Sequence, residues 1–189
     1  MTNWDNPKPL PGLIAKTICW CCRMFSSREV KLKFMNYDSI SVKAISVEFF
    51  QPYGQIVQQP LTQPTAEGET FSFWSDIARY HIQGNTEIGL CTVTSPPDNR
   101  VSDFERHLKT PEILIPADTP FILPLLSNDG QVEAFRVNIG EAVVIHAGVW
   151  HGPCIPAEKS DATYYVIFRQ HTPAEDVEKI SIDDVLIQA

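Results

Sequence analysis

The chain has 189 residues, 43% of them hydrophobic and 20% charged, with a formal net charge of −8 at pH 7. That length is ample for one hydrophobic core, the apolar content excludes a disordered chain, and the negative charge argues against nucleic acid or an anionic membrane as the main partner. The charge is uneven: residues 1–34 hold six basic and two acidic residues, about +4, against about −12 for the remainder.

Pro7, Pro9 and Pro11 deny the first residues a regular start, and the apolar run from Leu10 to Cys22 is broken by Lys16. It is too short to span a bilayer and has no small-residue cleavage site. Residues 1–34 are therefore expected to be an extension or the product of a misplaced start, with one domain over residues 35–189; their basic, acid-poor character also admits a targeting segment. Cys19, Cys21 and Cys22 are clustered, and with Cys91 and Cys154 they bring the total to five, an odd number without regular spacing. That pattern is no disulfide framework, and C-x-C-C has no matching second pair for zinc. A reducing cytoplasm is the expected compartment, with Cys154 a small buried side chain.

Strand signals begin at Ile40. Val42 to Phe50 alternates apolar residues before Gln51-Pro52-Tyr53-Gly54 stops the run, and Gln58 to Glu69, with Pro60, Pro64 and Gly68, reads as an exposed loop. Residues 71–81 and 87–94 read as two strands of a hairpin turning at Gln83-Gly84-Asn85. Further strands are expected at Ser102–Leu108, Glu112–Ile115, Thr119–Leu125, Val132–Asn138, Val143–Ile145, Val149–His151 and Thr163–Arg169, and the acidic tail Pro173–Leu186 as a short helix and an edge strand. Many short strands with turn chemistry between them imply an all-β sandwich or barrel rather than βαβ units.

The chemistry concentrates in two segments. In Gly140–Pro153 the β-branched Val143, Val144 and Ile145 lead into a turn at Ala147-Gly148, and His146 and His151 flank it. In Phe104–Glu112, Glu105 and His107 stand two apart, so strand alternation sends both to one face. Glu112, after Pro111, is expected to open the next strand, antiparallel to the first. Two imidazoles and one or two carboxylates can hold a divalent first-row ion and leave positions for water or substrate; nickel, zinc, manganese and iron all suit such ligands. The candidate ligands are Glu105, His107, Glu112 and His151. Arg79, Arg106 and Arg169 are candidate carboxylate clamps, because a guanidinium matches a carboxylate fork. Alternation turns Arg106 away from Glu105 and His107 and places it last. Arg79 and His81 would line a barrel mouth if they share a face, and His171, near a strand end, is expected to be exposed.

Glu-x-His-x4-Glu followed by Gly-x5-His-x-Gly-x2-His resembles the two motifs of the cupin superfamily, with Glu105 where many cupins have a first histidine and His146 where they often have proline. Within cupins the chain is similar to the ureidoglycolate lyase family. The resemblance rests on Phe-x-x-Tyr-Gly (Phe50 to Gly54), Arg79-Tyr80-His81, Glu105-Arg106-His107 followed by Ile115-Pro116, and His146-x3-Trp150-His151-x-Pro153. It implies a cupin-type double-stranded β-helix, or jelly-roll barrel, with a few short helical segments, one of them near Glu48 to Phe50. It implies a carbon–nitrogen lyase that splits ureidoglycolate into glyoxylate and urea in purine and allantoin catabolism, working as a homodimer on a small-molecule carboxylate, with a divalent metal (nickel, manganese or zinc) as a candidate cofactor.

In that reaction a base takes the hydroxyl proton and an acid protonates departing urea. Glu105 is the base candidate if it is not a ligand, His146 or His151 the acid, and Arg79, His81, Trp150 and Arg169 the substrate-binding residues. The chain departs from the family pattern twice, with Glu112 where the family has glutamine and Gly152 where it often has a second histidine. The competing readings are another metal-dependent cupin, such as an isomerase or dioxygenase, acting on a small hydroxy or ureido acid, and a non-catalytic cupin that binds a small acid.

Overall fold

Phe121-Ile122-Leu123-Pro124-Leu125-Leu126 contains no polar residue, and all of its side chains are buried. A strand apolar on both faces separates two interiors. The computed structural model, which describes residues 39–188, contains both. Phe121, Leu123 and Leu125 enter a core with Phe50, Leu114, Phe135, Val143, Ile145, Val166 and Phe168. Ile122 and Leu126 enter a second with Val101, Phe104, Ala134, Ile155, Ile180 and Ile187.

In chain order the elements are β1 (Ser39–Ala44), α1 (Val47–Phe50), β2 (Gly54–Val57), β3 (Ala66–Gly68), β4 (Phe71–Phe73), β5 (Thr86–Thr94), β6 (Arg100–Arg106), β7 (Glu112–Pro116), β8 (Phe121–Leu126), β9 (Val132–Val137), β10 (Ala142–Ile145), β11 (Trp150–His151), β12 (Ile155–Pro156), β13 (Asp161–Arg169), α2 (Thr172–Glu175) and β14 (Glu178–Gln188), with a 3-10 turn at Pro97–Asn99. One sheet runs β11-β6-β14-β1-β9-β8-β12, and β11 also pairs with β8, so the sheet closes on itself around the second core. The other runs β2-β10-β7-β13-β5 and faces β8 and β9 across the first core. This is the expected all-β barrel with short helical segments. Alternation builds it: along β13, Ala162, Tyr164, Val166 and Phe168 point inward, while Thr163, Tyr165, Ile167 and Arg169 point outward.

The Phe-x-x-Tyr-Gly motif is a packing device at the entry to the second sheet. Ser46 caps α1 by accepting a bond from the Phe49 N–H at 3.4 Å. The helical turn then drops Phe50 edge-on against Phe135, with ring centroids 5.5 Å apart. A Cβ on residue 54 would lie 1.9 Å from the Val144 carbonyl oxygen, so only glycine lets β2 pair with β10. Removing Phe135 to alanine would cost about 3–5 kcal/mol.

Four expectations change. β6 and β7 do not pair: β6 lies between β11 and β14, and β7 between β10 and β13, so the chain changes sheets at the Leu108–Pro111 corner. The hairpin of residues 71–81 with 87–94 does not form, because the apolar residues of β5 pair with β13 along its whole length and β4 instead pairs with β3. The loop expected over Gln58–Glu69 therefore contributes Ala66–Gly68 as a strand. β14 is no edge strand, since it pairs antiparallel with β6 and parallel with β1. The expectations for residues 1–34 lie outside the described residues.

Candidate metal centre and active site

The end of β6 carries Glu105 and leads directly to His107 at the corner. β11 brings His151 opposite Glu105 in register. Glu112 opens β7 in the facing sheet, opposite Ile145 of β10. The cluster therefore forms across the space between the sheets and not, as the sequence suggested, on two paired neighbours. Ligand atoms of Glu105, His107 and His151 lie within 4.8 Å of one another. Glu112 closes the group, with Oε2 3.2 Å from His151 Nε2 and Oε1 3.9 Å from His107 Nε2.

His107 is oriented by a residue that sequence reading missed. Its Nδ1 lies 2.7 Å from the Asp176 carbonyl oxygen, which can only accept, so Nδ1 carries the proton and Nε2 presents its lone pair to the cluster. The carboxylate of Asp176 also accepts from the Leu108 and Lys109 N–H groups, at 3.0 and 2.8 Å. Buried Asp176 thereby fixes the whole corner from the end of α2. Nothing local in the acidic tail signals this, because the contact spans 69 residues of sequence. On the other side the Gly148 N–H donates to the His107 carbonyl at 2.6 Å, and a φ of 86° in the turn makes glycine the fitting residue there.

Burial dominates the electrostatics. It raises the Glu112 carboxyl to about 7, against the lowering effect of His107 and with a further push from the charge of Glu105. Burial, reinforced by His107, drives His151 down to about 3, so its imidazole is neutral at physiological pH. Glu112 Oε2 and His151 Nε2 are buried, and neither makes a properly aligned hydrogen bond despite their closeness. Buried polar atoms left in this state at one spot, with lone pairs converging, are the signature of a cation site. The donor set fits a divalent first-row ion: Glu105, His107 and His151 would hold it, with Glu112 beside them.

The remaining candidates lie elsewhere. His146 follows β10 with an exposed side chain, its N–H donating to the Tyr53 carbonyl at 2.9 Å, and it is not among the grouped ligand residues. Arg79 is exposed and paired with Asp76 at 2.9 Å, and His81 is exposed. Arg169 is on the outward face of β13, opposite Phe168, and is held by Glu175 at 3.2 Å. Trp150 packs against the second core beneath the Arg106 guanidinium, 4.3 Å from the ring centre, and Arg106 turns away from Glu105 as alternation required. His171 is exposed, as expected, and Cys154 is buried in the first core.

Two further residues near the cluster, Lys179 and Tyr164, escaped sequence reading. Lys179 pairs with Glu105 across β14 and β6, its Nζ 3.9 Å from Glu105 Oε2. The buried Tyr164 hydroxyl is raised well above its usual range by burial and by nearby Cys154, Cys91 and Glu112. Gly152 faces the other way: a Cβ there would meet Val101 at 3.1 Å and Pro124 at 3.2 Å, in the second core. A histidine at this position would add no proton donor to the cluster, so its loss removes none.

The sequence profile of the family described as ureidoglycolate lyase matches residues 37–188. The chain belongs to the ureidoglycolate lyase family. Ureidoglycolate lyases of Pseudomonas aeruginosa strains LESB58 and UCBPP-PA14 are each 27% identical over 145 residues, covering 65% of this chain and 79% of the relative. Among solved structures, Bacillus subtilis oxalate decarboxylase, described in a study of its Mn(II) centres, overlays with a TM-score of 0.40 at 15% identity, covering 52% of this chain and 24% of that one. Peruvianin-I, a cysteine peptidase from Thevetia peruviana latex, overlays with a TM-score of 0.39 at 18% identity, covering 47% and 53%.

Proposed function

We infer that the protein cleaves ureidoglycolate to glyoxylate and urea at the Glu105, His107, Glu112 and His151 cluster. The observation that carries the reading is a group of two imidazoles and two carboxylates, buried except for Glu105, in a chain of the ureidoglycolate lyase family. In the reaction the hydroxyl proton leaves, its electron pair forms the aldehyde C=O, the carbon–nitrogen bond breaks, and the departing urea nitrogen takes up a proton. Where no ion is bound, Glu105 is the base, as the more exposed of the two carboxylates; an ion held by Glu105 would take over the task of lowering the hydroxyl pKa. Glu112 is the acid: a carboxyl raised to about 7 keeps a substantial protonated fraction at neutral pH and releases the proton readily. This replaces His146, whose exposed side chain is not among the grouped ligand residues. His107, with its proton fixed on Nδ1 by Asp176, and neutral His151 orient the substrate hydroxyl. A divalent ion, nickel, manganese or zinc, held by Glu105, His107 and His151 would polarise the substrate oxygens and lower the hydroxyl pKa.

The reading carries a place in purine and allantoin nitrogen recovery in the cytoplasm. No helix among the described residues is long and apolar enough to cross a membrane. We extend the proposal to a homodimer, supported by apolar surface on the β3–β4 arm (Phe71, Phe73) and on the outer face of the second sheet (Ile88, Leu90, Tyr165).

The test is urea and glyoxylate release from ureidoglycolate by purified protein, with and without chelator and with nickel or manganese restored. Turnover lost to chelator and recovered with metal is expected. Turnover indifferent to chelator would leave the acid and base residues to act alone, and no release at all would move the site to another small acid or to a binding role.

A further inference from the structure

A carboxylate substrate needs a cation, and each arginine singled out by sequence has an acidic partner outside the cluster. Arg106 is bound to Glu178 at 2.6 Å and stacks on Trp150. Arg169, on the outward face of β13, meets Glu175 through Nη2 while its buried Nε makes no hydrogen bond, and Arg79 is exposed on Asp76. Lys179 is different. Its partner in register is Glu105, while the adjacent pairs Glu178 with Arg106 and Ile180 with Phe104 turn to the opposite face of the sheet. Strand alternation therefore places Lys179 on the cluster side together with Glu105, His107 and His151.

The Nζ to Oε2 separation of 3.9 Å is an ion-pair contact, too long for a hydrogen bond, so the ammonium keeps donors for a second anion. Its side chain is 34% exposed and that of Glu105 27%, against 6% for His107, so the pair stands on the open side of a buried cluster.

We propose that Lys179 is the anion-binding residue of this site: it receives the carboxylate of the substrate and sets the hydroxyl-bearing carbon over Glu105 and the two histidines. The proposal rests on the lyase reading for the identity of the substrate, but it assigns a subsite to a residue that neither the sequence motifs nor the candidate ligand set contains. A flexible ammonium at the mouth suits a ligand that must enter and leave, since it follows the anion without the fixed fork of a guanidinium. The same residue makes the site selective for acids over neutral carbonyl compounds of equal size.

The experiment compares wild type with Lys179→Met, which keeps the aliphatic stem, and Lys179→Arg, which keeps the charge. Steady-state kinetics on ureidoglycolate give KM and kcat separately, and calorimetry with glyoxylate, the product that retains the carboxylate, reads the subsite without turnover. Lys179→Met is expected to raise KM and weaken glyoxylate binding together by about tenfold, with kcat changed by much less and thermal unfolding unaltered. Lys179→Arg is expected to restore most of both. Unchanged KM and glyoxylate affinity in a folded Lys179→Met protein would overturn the assignment. So would a fall in kcat alone with glyoxylate binding intact, which would make Lys179 a partner of Glu105 only. If wild type releases no urea, the lyase reading fails by itself. The calorimetric comparison then still decides whether Lys179 binds a small carboxylate.

Discussion

Glu112→Gln separates the energetic cost of the cluster from its chemistry. In the metal-free protein, burial raises the Glu112 carboxyl from 4.5 to about 7. A group whose folded pKa lies above its unfolded value costs nothing below the unfolded value, where both states are protonated. Its cost grows as pH rises and is complete above the folded value, because the unfolded chain ionises first. At about 1.4 kcal/mol for each pH unit, the rise is worth about 3 kcal/mol. Glutamine has nearly the same shape and never ionises. The variant should therefore match wild type near pH 4 and exceed it by about 3 kcal/mol at pH 8, with the difference opening between 4.5 and about 7. The lowered His151 opposes this in absolute stability, since its neutral burial is lost as pH falls from 6.5 toward about 3, but it is present in both proteins and cancels in the difference. Urea denaturation of chelator-treated wild type and variant at several pH values reads the gap directly. A variant less stable than wild type at pH 8, or a gap independent of pH, would refute the burial argument. On ureidoglycolate the same change is expected to lower kcat sharply, because it removes the proposed proton donor.

The remaining expectations address the frame of the site. His107→Ala and His151→Ala should each lower turnover by about a hundredfold or more while retaining the fold by circular dichroism; full activity in either would displace the cluster as the active site. Asp176→Ala leaves the carbonyl that holds His107 but removes the acceptor of two part-buried N–H groups at the corner, so it should cost about 2 kcal/mol in denaturant and weaken metal binding by about tenfold. An Asp176→Ala protein of wild-type stability would show that the corner does not depend on that carboxylate. Gly152→His should cost about 2 kcal/mol or more by crowding Val101 and Pro124, with no gain in kcat. Faster turnover in that variant would show the position to face the site.

The strand content and the candidate ligand residues were legible because both depend on short-range patterns. Glu105 and His107 share a face through period-2 alternation, and Arg106 turns away for the same reason. Partnership between strands was not legible. Glu112 follows Pro111 by one residue, and the sequence cannot say that the chain crosses to the facing sheet there. The β5 strand has two candidate neighbours by pattern, residues 71–81 and β13. It takes β13 because the longer strand offers an inward apolar face of four residues along the whole pairing, whereas only Phe71–Phe73 of the first segment is a strand, paired with β3. Asp176 and Lys179 were hidden for a related reason. Each acts on β6 or its corner from an acidic-looking tail, and only the antiparallel pairing of β14 with β6 brings them there.

That pairing explains why the site and the second core stand or fall together. Along β6, β11 and β14, Glu105, His107, His151 and Lys179 turn to the cluster. Their immediate neighbours Phe104, Arg106, Trp150 and Ile180 turn to the ring interior or close its end. A slip of one residue in either pairing would carry the ligands into an apolar interior and bring Phe104 and Ile180 to the cluster, exchanging two sets of side chains that each environment rejects. The hydrophobic packing of the ring therefore fixes the register of the ligands without touching them. Polar residues at Phe104 or Ile180 are expected to disturb the metal site through strand register before they unfold the chain.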